Sequence, residues 1–178
     1  MDVMAANSEL VEAPLTREEL GARYRELCDD RRYENLHAKI EIDSWGRLLM
    51  SPPSVYHAVL QGELCRRLGV LGGQVIGEVS VLAADRVMVA DAAWASGEFM
   101  RRHGTETPLG AAPEICVEVV SPSNSRRELK EKIAGYLAMG AVEVWIVYPK
   151  SRRIEFFGKS GAIGQSQYAV DLSGLFGY

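Results

Sequence analysis

The most strand-like run of this chain, Ile115-Cys116-Val117-Glu118-Val119-Val120, carries a carboxylate in its middle. Apolar residues at successive positions mark a strand buried on both faces, so an ionised acid there stands in low-dielectric surroundings. A second acid, Asp91, interrupts the similar run from Val87 to Trp94. Either acid is accommodated if it points outward from a half-exposed strand. Pointing inward and unpaired, it costs roughly several kcal/mol, and something cationic must compensate it. A divalent ion does so directly, because hard Mg²⁺ takes carboxylate oxygens and keeps several waters.

The punctuation around these runs predicts the other elements. Thr16-Arg17-Glu18-Glu19 has capping-box spacing, so a helix starts at Arg17 and buries Leu20, Tyr24 and Leu27. Lys39 to Met50 alternates polar and apolar and breaks at Asp43-Ser44-Trp45-Gly46, which reads as a hairpin. Ser54 caps a second helix running to about Leu71, and Gly72-Gly73 ends it. Val75–Leu82 and Val87–Trp94 are strands joined by a turn near Asp85, followed by a polar loop from Ser96 to Ala112. Ser125-Arg126-Arg127-Glu128 repeats the capping box and opens a helix to about Met139. Val144–Val147 and Ile154–Phe157 are two further strands. This order predicts the α/β (α+β) class, one mixed sheet flanked by helices.

With 178 residues, of which 47% are hydrophobic, the chain has the material for one core. We expect residues 1–14 to be a flexible tail and 15–178 a single domain. No apolar run approaches the roughly 20 residues that a membrane span needs, and Met1–Glu12 lacks the pattern of a secretory signal. Three cysteines without CxxC spacing read as small core hydrophobes in a reducing cytoplasm. A net charge of −4 speaks against a protein that coats nucleic acid, yet leaves room for an enzyme with a local basic rim.

Two helices carry polar residues where apolar ones are expected. With Ser125 as cap, Leu129, Ile133, Tyr136 and Leu137 form the inward stripe, and Lys132 lies at its edge. Lys132 either reaches over the strand bearing Glu118 or pairs with Glu128 on the surface. On the second helix, His57 and Gln61 share the sector of Leu60, Leu64, Leu68 and Leu71. They are satisfied core residues or the edge of a site.

Taken together, Met50-Ser51-Pro52-Pro53-Ser54 with His57, Val89-Ala90-Asp91, PEICVEVVSPSN over 113–124, Lys132 with Tyr136, and Val144-Trp145-Ile146-Val147 resemble the Uma-two family. That family lies within the PD-(D/E)xK nuclease superfamily, and the similarity runs from about Leu15 to Gly158. The resemblance implies a restriction-endonuclease-like fold and a cytoplasmic Mg²⁺-dependent endonuclease, with Mn²⁺ as a substitute ion, acting on DNA as a homodimer. Asp91 corresponds to the motif's first acid, with Ala90 in place of the usual Pro, and Glu118 to its second. Val120 stands where the superfamily has its Lys, and Lys132 is the candidate to supply that ammonium. Asp91, Glu118 and the Glu118–Val119 backbone would hold the metal, with His57, Gln61 and Glu78 as further water or metal contacts. Arg101, Arg102, Arg126 and Arg127 are candidates for gripping the phosphate backbone. The competing reading is a catalytically inactive module that keeps the nuclease fold for binding or assembly.

Overall fold

Thr16 starts the first helix by a reciprocal exchange. Its hydroxyl accepts the Glu19 N–H, and the Glu19 carboxylate accepts the Thr16 N–H. In the computed structural model, which describes residues 13–33, 38–52 and 54–177, α1 spans Arg17–Asp29. Residues 1–12 of the expected tail lie outside the described residues. The hairpin forms β1 (Lys39–Ile42) and β2 (Leu48–Ser51), closed where the Asp43 carboxylate accepts the N–H groups of Trp45 and Arg47. Ser54 caps α2 (Val55–Leu68) through the His57 N–H, and a 3₁₀ turn over Gly69–Leu71 finishes it. Gly72 and Gly73 both have positive φ, which suits glycine and turns the chain into the next strand.

The remaining elements are β3 (Gln74–Leu82), β4 (Val87–Ala95), α3 (Gly97–His103), β5 (Ile115–Val119), α4 (Arg126–Ala138), β6 (Glu143–Tyr148), β7 (Arg153–Gly158) and β8 (Gly161–Ile163). Eight strands form one mixed sheet in the order β2-β1-β4-β5-β6-β7-β8, with β3 also paired to β4. Among the described strands only β5 and β6 pair in parallel, and α4 is the crossover between them. The expected central mixed sheet flanked by helices is what forms.

Alternation along β5 serves two layers. Cys116 packs in the cluster that holds Leu129 and Tyr136 of α4. Ile115, Val117 and Val119 pack in the cluster with Leu60, Leu64 and Leu68 of α2. A third cluster joins α1 to Ile42, Leu82, Val87 and Val89. α4 approaches β4 closely at Gly135, where an added Cβ would fall 2.7 Å from Met88 Cε.

One edge of β4 is occupied along its length by β3, from Gln74↔Ala95 to Leu82↔Val87. The opposite edge is shared. β5 takes Ala92–Trp94, β1 takes only Val87, and between them the strands part. This fork in the sheet holds the buried acids.

Two expectations need correction. The stretch from Ser96 to Ala112 contains α3, capped by the Ser96 hydroxyl on the Phe99 N–H, with Glu98 in its first turn and Arg101, Arg102 and His103 in its last. The helix stands on caps and end charges, without the apolar stripe that would announce it. β8 is a further short strand, three residues long, that pairs on β7. Cys28 is exposed near the end of α1, whereas Cys116 is buried and Cys65 half-buried.

The capping box at the head of α4 is closed in the same way as that of α1, by Ser125 and Glu128. Ser125→Ala should cost about 1 kcal/mol of unfolding free energy. A urea titration followed by circular dichroism checks this, and an unchanged midpoint would show the cap to be idle.

Candidate functional site

Where β4 and β5 part, side chains replace the missing strand partner. The last ladder pair is Ala92↔Val117, so Asp91 and Glu118 would come next. Instead the Asp91 carboxylate accepts the Val119 N–H through Oδ2 at 2.7 Å. Three residues before Ala92 along β4, Glu41 Oε1 accepts the Val89 N–H at 2.7 Å. The fork thereby meets the backbone's hydrogen-bond demand with carboxylates.

Those carboxylates collect the cations. Lys132 Nζ donates to Glu118 at 3.1 Å and to Glu41 at 2.8 Å. Lys39 Nζ donates to Asp91 Oδ1 at 2.9 Å and to Glu118 Oε2 at 3.0 Å. Tyr136 donates its hydroxyl to Glu118 Oε1 at 2.7 Å, and His57 Nε2 lies 3.3 Å from Asp91 Oδ1. Asp91, Glu118 and Lys132 are all buried, at 1%, 4% and 5% exposure, which excludes a surface pairing of Lys132 with Glu128. Glu128 closes the α4 cap and accepts from Asn124.

The electrostatics follow from burial and these partners. Burial alone would raise the Asp91 carboxyl, but its contact with His57 and the charge of Lys39 bring it down to about 2. Burial pushes Glu118 up, with Lys132 and Lys39 pulling against it. Burial pulls the Lys39 ammonium down, and Glu118, Asp91 and Glu41 outweigh it, so it is held above its ordinary range.

The cluster forms the floor of a cavity of about 660 Å³. Its walls include Ser51 at the end of β2, Ser54 and the loops 121–124 and 149–151, with Tyr56 and Tyr148. Lys150 is the exposed base on that rim.

The structure thus brings Asp91, Glu118, Lys132 and His57 together. Glu78 lines the same cavity from β3 and has a positive φ of 51°, a conformation rarely adopted by residues other than glycine. Gln61 lies over Gly77, 3.7 Å from where a Cβ would stand, and does not line the cavity. Arg101 and Arg102 are on α3, beyond the end of β4 that pairs with the start of β5, and Arg102 pairs with Glu98. Arg126 and Arg127 open α4 beside the Ser121–Asn124 loop without lining the cavity. Sequence reading missed Lys39, Glu41 and the contact made by Tyr136. The one signal was parity, since Lys39 and Glu41 share a face of β1 while Ile42 faces the α1 core.

As a metal site, the donor set is sparse but suitable. Asp91 Oδ1 and Glu118 Oε2 lie at most about 6 Å apart, because one ammonium touches both. That ammonium stands in for a cation between two carboxylates. Among the described residues no three His, Cys, Asp or Glu side chains form a ready metal cluster. The protein would supply two carboxylates and water the rest, a division Mg²⁺ commonly accepts.

A family model described as "Uma2: Putative restriction endonuclease" matches residues 22–173. The fold is similar to the crystal structure of "a putative nuclease belonging to DUF820" from Anabaena variabilis, with a TM-score of 0.64. The two are 16% identical, and the match covers 92% of each chain. No curated protein matches. Among the described residues no helix is long and apolar enough to cross a membrane.

Two predictions test the cluster. Lys132→Met leaves Glu118 and Glu41 short of a cation, and should lower stability by about 3 kcal/mol in chemical denaturation. The Asp91 carboxyl is depressed from 3.8 to about 2 on folding, so its contribution is full above pH 4 and lost as pH falls through 2. Asp91 should account for about 2 kcal/mol of the stability that wild type loses across that window. Asp91→Asn, compared over the same pH range, should lack that component.

Proposed function

Because the chain belongs to the Uma2 family, we propose that it is a Mg²⁺-dependent endonuclease that hydrolyses DNA phosphodiester bonds at the fork between β4 and β5. The single observation that carries this reading is the buried convergence of Asp91, Glu118 and Lys132 on the floor of an open cavity. Asp91 and Glu118 would hold the ion, and Mn²⁺ fits the same oxygen donors. When bound, such an ion polarises a phosphoryl oxygen and lowers the pKa of its water.

The chain's own residues have defined tasks. Tyr136 and Lys132 fix the Glu118 carboxylate from α4, each with a direct hydrogen bond. Val119 N–H and His57 fix Asp91 from β5 and α2. The Lys132 ammonium, already beside Glu118, can stabilise negative charge that develops on the phosphate oxygens. Glu41 keeps that ammonium in position through its 2.8 Å contact. Lys150 at the cavity rim, with Arg126 and Arg127 beside the neighbouring loop, would meet the flanking phosphates. Arg101 and Arg102, on α3 away from the cavity, are not assigned to that grip. Cutting both strands of a duplex calls for two such sites, which a homodimer supplies.

One observation favours a second reading, a binding or assembly module without catalysis. Lys39 already compensates the two carboxylates, and among the described residues no buried side-chain polar atom lacks a partner. The cluster is satisfied without any ion.

Cleavage assays separate the two. Purified protein incubated with plasmid or single-stranded DNA should cut in Mg²⁺ or Mn²⁺ and fail in EDTA. Glu118→Gln and Lys132→Ala should each reduce the rate at least about 100-fold, the scale at which losing one preorganised electrostatic contact acts. Equal cutting by wild type and both variants would expose a contaminating nuclease, and no cutting by any would leave the module reading.

A further inference from the structure

We propose that Lys39 is a place-holder for the metal: its ammonium occupies the cation position between Asp91 and Glu118 until a divalent ion displaces it toward the cavity. The inference rests on the metal-dependent reading above.

Position comes first. Lys39 Nζ bridges the two candidate metal ligands at 2.9 and 3.0 Å, and its side chain is only 11% exposed. Lys132 also reaches Glu118 Oε2, at 3.2 Å, but it is tied to Glu41 from the α4 side, and among the described contacts only Lys39 joins Glu118 to Asp91. Lys39 is therefore the cation an incoming ion must replace.

Charge comes second. The three carboxylates of Glu41, Asp91 and Glu118 face the two ammoniums of Lys39 and Lys132. His57 apart, the cluster keeps one negative charge. A divalent ion in place of Lys39 brings it to neutral. The released ammonium remains tethered beside the cavity and adds one positive charge. A phosphodiester brings one negative charge, so the exchange leaves the cavity matched to that substrate.

The backbone permits the movement. Lys39 opens β1 and is laddered to Ser51 of β2, while β1 meets β4 only at Ile42↔Val87. Swinging the flexible stem of Lys39 outward breaks two side-chain contacts and no strand pairing. Lys39 also lines the cavity, so the displaced ammonium enters space that is already open.

The test follows Lys39 in the wild-type protein. Amine-reactive labelling, read residue by residue by mass spectrometry, is compared with and without saturating Mn²⁺, with exposed Lys130 of α4 as internal reference. Labelling of Lys39 should rise at least about fivefold relative to Lys130 when Mn²⁺ binds. In parallel, calorimetric titration of Lys39→Met with Mn²⁺ should give binding about tenfold tighter than wild type, since the competitor is gone. If Lys39→Met does not fold, the wild-type labelling decides alone. Mn²⁺ binding to wild type with Lys39 labelling unchanged would overturn the exchange and leave the metal-dependent reading standing. Failure of wild type to bind Mn²⁺ would overturn both.

Discussion

The centre of this structure is the Glu118 carboxylate, shared among three donors from two elements. It accepts from Lys132 and Tyr136 of α4 and from Lys39 of β1 while sitting on the central strand β5. A buried acid with this many donors is an anchor, since withdrawing any one leaves charge stranded in a low-dielectric place. The arrangement requires α4 to lie close against the sheet, which Gly135 permits at Met88. It also requires β1 to turn a polar face inward, although β1 is the neighbour of an edge strand.

Much of this was legible in the chain. Glu118 and Asp91 announced themselves as charges inside apolar runs, and both lie in the fork. The caps at Thr16, Ser54 and Ser125 set their helices to the residue. Lys39 and Glu41 were hidden for a physical reason. In a four-residue strand with polar and apolar positions alternating, the polar ones look like the solvent side, and only the topology shows that this side closes over the fork. Arg101 and Arg102, read on a polar loop, sit in the last turn of a capped helix and do not line the cavity.

Glu118 takes its buried lysine from a distance in sequence, since the residue two places further along the chain is Val120. Here the ammonium arrives from the helix that follows and ends 3.1 Å from Glu118. The crossover of β5, α4 and β6 lays the helix back over its own strand, so a long side chain on the inward face returns to where the strand began its exit. Val120 itself joins the partly buried apolar residues packed against the α4 layer.

Asp91 has one oxygen committed to the Val119 N–H and the other turned to Lys39 and His57. A single side chain therefore serves both the scaffold and the site, and selection cannot act on the two roles separately. A lineage that abandoned chemistry would still need an acceptor at this position to close the sheet. The presence of Asp91 in a relative is thus poor testimony that the relative is active. If the fork is the proposed nuclease site, Lys39 and His57, which secure no backbone group of the fork, are the positions where loss of the reaction would be recorded first.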